Sequence, residues 1–189
     1  EEKMVTEALF NIDVSILFGV KNIRTPFLDA FFSMITHLGD GGWLWIVLGG
    51  ILLCFKEHRQ TGFILLFTLA AGFLIGNLVL KNLIHRARPF ELFPHIKPII
   101  NLPTDLSFPS GHTLASFETA WILFWNNKKW GSFTLILASF IAFSRIYLQV
   151  HYLTDVLGGF VLAFIIAKGI NYFVEERKEN YYGNQSKQL

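Results

Sequence analysis

Three short stretches hold the residues that could do chemistry. The first is Lys81-Asn-Leu-Ile-His-Arg-Ala-Arg88-Pro89, the second is Pro109-Ser110-Gly111-His112, and the third is Ser144-Arg145 followed by His151 and Asp155. Lys81, Arg88 and Arg145 are fixed cations, and a guanidinium presents a planar fork that matches phosphate oxygens two at a time. Pro-Ser-Gly ahead of a helix exposes backbone N–H groups at the positive end of the helix dipole, a ready anion site. Gly111 permits close backbone approach. Two histidines beside such a site, His112 and His151, suit phosphoryl transfer in which one attacks and the other protonates the leaving oxygen. His151 and Asp155 are spaced to share one helical face. A carboxylate there can accept Nδ1–H, leaving Nε2 free to attack, and can steady the imidazolium that forms, as in a serine-protease triad.

These stretches must be positioned by elements that do not face water. Hydrophobic residues make up 52% of the chain and charged residues only 16%, against about 25% charged in soluble domains. A membrane span needs roughly 20 apolar residues. Residues 41–55, 61–80, 113–125, 131–143 and 152–174 approach that requirement, and 27–38 form a shorter apolar run. The expected fold is all-α: a polytopic membrane bundle of about six transmembrane helices with an N-terminal amphipathic helix. The expected organisation is an N-terminal amphipathic, interfacial region over residues 1–24, a membrane core over 25–175 and a polar tail over 176–189. The acidic start has no basic segment ahead of an apolar one, so no cleaved signal is expected there. Gly72 with Gly76, and Gly159 with Ala163, are spacings that allow close helix contact in lipid.

Loop cations set the expected orientation. Lys21, Arg24, Lys56, Arg59, Lys128, Lys129 and Arg177, with Lys3, Lys178 and Lys187, fall on one side; Lys81, Arg86, Arg88, Lys97 and Arg145 fall on the other. The larger set predicts the cytoplasmic side, with both termini there and the three chemical stretches at the extracytoplasmic face of the inner membrane. A net charge of +2 gives no case for a nucleic-acid partner. The single cysteine, Cys54, excludes an intrachain disulfide and is expected to be a buried thiol.

Taken together, Lys81-x6-Arg88-Pro89, Pro109-Ser110-Gly111-His112 and Ser144-Arg145-x5-His151-x3-Asp155 resemble the three signature motifs of the type-2 phosphatidic acid phosphatases, in order and without a gap. The resemblance implies His151 as a nucleophile that forms a phosphohistidine, Asp155 as the residue orienting it, and His112 as the general acid. It also implies Lys81, Arg88, Ser110, the Gly111 N–H and Arg145 as holders of the phosphoryl oxygens, with no metal ion and no cofactor. The implied partners are the bilayer and a phosphorylated membrane lipid, with no obligate protein partner. Substrates of small relatives include lipid A 1-phosphate, undecaprenyl pyrophosphate and phosphatidylglycerophosphate; the minimal loops and Phe-rich spans lean weakly to the first. A non-catalytic transporter of anionic lipids is the rival from another class, and it has no use for His112, His151 and Asp155 at these spacings.

Two further residues are secondary candidates. Arg86 lies between motif positions and is expected in solvent or at the headgroup. Glu118 is ionisable inside a span, which makes it a functional candidate by default. It is expected either to pair with a cation such as Arg145, to line the headgroup cavity or to make a structural hydrogen bond. The segment 90–106, with Pro94, Pro98 and Pro103, is expected to cover the site.

Overall fold

The computed structural model describes residues 2–186, with side chains for 4 and 6–177. Among the described residues every regular element is helical: α1 (Glu2–Lys21), α2 (Pro26–His37), α3 (Trp43–Cys54), α4 (Arg59–Gly72), α5 (Lys81–Ile84), α6 (Pro89–Leu92), α7 (Gly111–Asn126), α8 (Lys128–Tyr147) and α9 (Leu153–Ser186). A π-helical stretch, Phe73–Leu80, joins α4 to α5 in one rod. Segments Pro26–Cys54, Arg59–Leu92, Lys128–Tyr147 and Leu153–Arg177 are long and apolar enough to cross a membrane. The chain is an all-helical integral membrane protein, as the composition predicts.

Local chemistry sets the breaks. Thr25 caps α2 by accepting the Leu28 N–H at 3.2 Å, with Pro26 in the first turn. Gly41 and Gly42, at φ 56° and 70°, take left-handed conformations that side chains disfavour, and they divide α2 from α3. Asn127 alone separates α7 from α8 and accepts the N–H groups of Lys129 and Trp130.

The bundle packs around α7. Leu65, Ile122, Ile141 and Ala167 from α4, α7, α8 and α9 are fully buried in one cluster. The Trp45 indole donates to Ser116 Oγ at 3.1 Å and ties α3 to α7. Both small-residue spacings face α7: Gly76 meets Leu114, and a Cβ at Gly159 would stand 2.8 Å from the Ser110 carbonyl. The outward faces remain apolar, with Phe63, Phe67, Phe133, Ile136, Val161 and Ile165 exposed. Burying one such side chain is worth about 1.5–3 kcal/mol, so a belt this large marks contact with lipid.

Three expectations need correction. The N-terminal helices lie at the same end of the bundle as His151. Asp13 bonds Arg86 and Thr154, Leu17 accepts from Gln149, and Arg24 pairs with Asp29, which also accepts from Tyr147. Over α1, contacts from Phe10 to Phe18 go to Tyr152, Phe93 and their neighbours, so α1 lies across that end. The apolar face of α1 seats there while its acidic side meets Arg86. The loop-cation count placed Arg24 at the opposite end because it could not register that Asp29 neutralises it. Lys187 lies outside the described residues, as do the side chains of Lys3 and Lys178. Secondly, α9 continues through the polar tail to Ser186, since residues 175–182 hold no proline or glycine to stop it. Thirdly, Cys54 is exposed at the end of α3, its thiol reaching the Gly50 carbonyl at 3.6 Å.

Candidate active site

The three stretches meet at one end of the bundle and are stitched by backbone bonds. The Ser110 N–H donates to the Asp155 carbonyl at 3.1 Å, and the Ser107 N–H to the Arg86 carbonyl at 2.9 Å. The residues between Arg145 and Asp155 fold back on themselves, with His151 N–H on the Arg145 carbonyl at 3.3 Å. Gln149 holds a left-handed conformation, φ 59°, in that turn. Such strain in a non-glycine residue costs about 1–3 kcal/mol, and it is held from outside by the Leu17 carbonyl of α1, 3.1 Å from Gln149 Nε2.

His151 is 1% exposed. Its Nδ1 faces Asp155 Oδ2 at 3.4 Å, and its Nε2 accepts from Arg88 at 3.1 Å. This is the arrangement the spacing predicts, with the ring proton on the Asp155 side. Burial pushes the imidazole well below its ordinary range, to about 3, against the pull of Asp155 and with the help of the Arg88 and Arg145 charges. At neutral pH the ring is therefore uncharged, and Nε2 keeps a lone pair. Asp155 is fully buried. Its Oδ2 accepts from Ser107 Oγ at 2.5 Å and from the Tyr152 N–H at 2.9 Å, and its Oδ1 accepts from Arg86 at 2.6 Å.

Arg86 is not free in solvent, the first of the two placements expected of it. Its guanidinium bridges Asp155, Asp13 and Thr154 and lies 4.2 Å from the Tyr152 ring centroid. Two carboxylates attract it beneath the site, where it braces Asp155.

The cations face a cavity of about 800 Å³, lined at this end by Lys81, Arg88, Arg145, Gly111, His112 and His151. Ser110 is buried just behind it, accepting from Thr113 at 3.0 Å. Arg88 is 2% exposed and donates to the carbonyls of Val150 and Asp105, each at 2.7 Å. Arg145 is 3% exposed. It donates to Thr36 at 2.6 Å, and among the described residues its Nε has no partner and no carboxylate is bonded to it. A buried cation left so is costly unless an anion arrives.

Sequence reasoning missed four carboxylates and hydroxyls: Asp13, Asp40, Asp105 and Ser107. Asp40 Oδ1 stands 2.9 Å from His112 Nε2, and its Oδ2 stands 2.7 Å from His37 Nδ1. Asp105 pairs with Lys81 and, at 2.7 Å, with Arg88. Partial burial alone would raise the Asp105 carboxyl, but the Lys81 and Arg88 cations win and hold it at about 2. Asp105 thus occupies donors that an oxyanion would use. Asp105→Asn is expected to tighten competitive inhibition by phosphate or vanadate about three- to tenfold, one pKa-sized unit of charge competition at most. Inhibition constants measured for the two proteins check this; unchanged or weaker inhibition would contradict it. The one available signal was proximity, since Asp105 and Ser107 fall just before Pro109-Ser-Gly-His.

The fold and this cluster define a membrane phosphatase family. Residues 61–179 match the PAP2 superfamily, and the chain belongs to it. Phosphatidylglycerophosphatase B of Bacillus subtilis is 32% identical over 182 residues, covering 88% of this chain and 86% of the relative. Undecaprenyl-diphosphatase of Sulfolobus acidocaldarius is 30% identical over 154 residues, covering 81% and 73%. The crystal structure of the PAP2-type phosphatidylglycerolphosphate phosphatase from Bacillus subtilis superposes with a TM-score of 0.75 at 29% identity, covering 89% and 87%. The chain is a phosphoric ester hydrolase of the PAP2 lipid phosphatase family.

Proposed function

We propose that this protein removes phosphate from a membrane lipid through a covalent phosphohistidine, without a metal ion. His151 Nε2 attacks phosphorus, the P–O bond to the lipid breaks, and His112 protonates the departing oxygen. Water then attacks the phosphohistidine and gives its proton back to His112, and the P–N bond breaks to release inorganic phosphate and neutral His151. Lys81, Arg88, Arg145 and the Gly111 N–H hold the phosphoryl oxygens and offset the charge that builds in the transition state. Asp155 orients His151, Asp40 orients His112, and Ser110 supports the loop from behind. The observation that carries the reading is Arg145, a buried guanidinium bonded to no carboxylate among the described residues, which lines the same cavity as His151.

The lipid follows from position. The site opens at one end of a bundle whose sides face acyl chains, so a substrate anchored in that leaflet delivers its phosphate laterally. Lys56, Arg59, Lys128, Lys129 and Arg177 lie at the far end with no carboxylate bonded to them among the described residues; at the site end Lys81, Arg86 and Arg88 are each paired, and Lys21, Lys97 and Arg145 are not. The larger unpaired set favours the cytoplasm. The site end then faces outward, α1 and α2 lie on the outer side, and α9 ends inside. Phosphatidylglycerophosphate is the first candidate, because it is named in the relative that matches over most of the chain. Lipid A 1-phosphate and undecaprenyl pyrophosphate are the others. Protein purified in detergent with EDTA should release phosphate from at least one member of that panel. Release only after metal is added, or from none of them, would overturn the reading.

A further inference from the structure

The cavity does not stop at the cations. It continues between α3, α4 and α7 past Leu66, Leu69 and Phe73. Asn77 and Glu118 line this apolar stretch, and among the described residues Asn77 Oδ1 and Glu118 Oε1 are both buried without a hydrogen-bond partner. Glu118 is 1% exposed and, contrary to one expectation, bonds neither Arg145 nor any other cation. The fold makes room for it: a Cβ at Gly72 would overlap its carboxyl group. Asn77 sits in the π-helical stretch, a distortion that turns up often at functional sites. Its amide oxygen would stand 2.9 Å from a Cβ at Gly111, the first residue of the anion-binding turn.

Such groups are expensive to leave unmet, at about 1–3 kcal/mol each, and native proteins keep few of them. We infer that Asn77 and Glu118 form a second polar subsite, below the phosphate site, whose unmet oxygens accept hydrogen bonds from the hydroxyl groups of a glycerol or sugar headgroup. Depth fits. Glu118 lies six residues past His112, about 9 Å along the axis at 1.5 Å per residue, and helical side chains lean back toward the N-terminus. Its carboxyl therefore reaches up toward the cations. A phosphatidylglycerophosphate carries a free glycerol hydroxyl a few bonds from phosphorus, which can donate to the unmet oxygens. A prenyl phosphate has only hydrocarbon there and would leave both groups unmet. The subsite rests on the phosphatase reading and narrows it to substrates with a hydroxylated headgroup.

The test compares phosphatidylglycerophosphate with farnesyl phosphate in one detergent, reading kcat/KM for each. The unaltered chain is expected to favour the hydroxylated lipid, and Glu118→Leu to reduce that preference by about tenfold or more, through KM. Glu118→Gln, which keeps an acceptor oxygen, is expected to hold the preference within about threefold. Equal losses on both lipids, no change in preference, or an equal fall in the glutamine variant would each overturn the subsite. If the unaltered chain turns over neither lipid, the phosphatase reading fails. The subsite is then decided by thermal shift: phosphatidylglycerophosphate should raise the Tm of the unaltered chain more than that of Glu118→Leu, and equal shifts would overturn it.

Discussion

His151→Ala is expected to abolish phosphate release, lowering kcat on the order of 10⁴-fold or more, as removal of a nucleophile does elsewhere. The expectation follows from what remains. Lys81, Arg88, Arg145 and the Gly111 N–H would still bind a phosphate, so affinity for the lipid should persist. Two neighbouring side chains that could attack are already engaged. Ser107 is bonded to Asp155, and His112 is held by Asp40. Lipid binding by thermal shift, alongside phosphate release, separates the readings. A chain that only carries anionic lipids would keep its full function in this variant. Turnover within tenfold of the unaltered chain would remove His151 from the chemistry.

Asp155→Asn is the second large effect, and it differs in kind. The carboxylate accepts on both oxygens, from Arg86 on one side and from Ser107 and the Tyr152 N–H on the other. An asparagine must turn its NH2 toward one of those sets, so a donor meets a donor whichever way it flips. When the NH2 turns toward Ser107, His151 also loses the acceptor for its Nδ1 proton, and the wrong tautomer puts a proton on Nε2. The analogous change in a serine protease costs about 10⁴ in kcat, and a loss of about 10³–10⁴-fold is expected here. Arg86 keeps Asp13 as a partner, which limits the structural damage. A fall in Tm of about 2–4 °C per kcal/mol lost is still expected for a chain of this size. The His151 variant should show little of that fall. Near-unaltered kcat in Asp155→Asn would show that the carboxylate only braces the fold.

Much of the site was legible because its residues are dense in sequence. Lys81 and Arg88 sit at the end of one rod, Gly111 and His112 open the next helix, and Arg145, His151 and Asp155 bracket a single turn. Short spacing fixes their relative placement before any tertiary contact is known. The partners that complete them are single carboxylates far away. Asp40 reaches His112 across 72 residues, and Asp13 reaches Arg86 across 73. No spacing rule marks an isolated aspartate, so these were invisible. The spans were equally legible from apolar runs, since lipid-facing and core-facing positions are both apolar. The path of α1 and α2 was not. An amphipathic pattern says that one face is buried and does not say against what. The cation count misplaced Arg24 because pairing with Asp29 removes its preference for the cytoplasm. Glu118 shows the same limit: its depth could be read, but its lack of a partner among the described residues could not.

The covalent step is the centre of this account, and it can be trapped. A lipid substrate labelled with ³²P at the phosphoryl group, mixed with enzyme and quenched in alkali during turnover, should leave label on the protein. That label should be lost in mild acid, as a P–N bond is, should map to the peptide containing His151, and should be absent from His151→Ala. Label on a different residue, or label that persists in His151→Ala, would contradict the account.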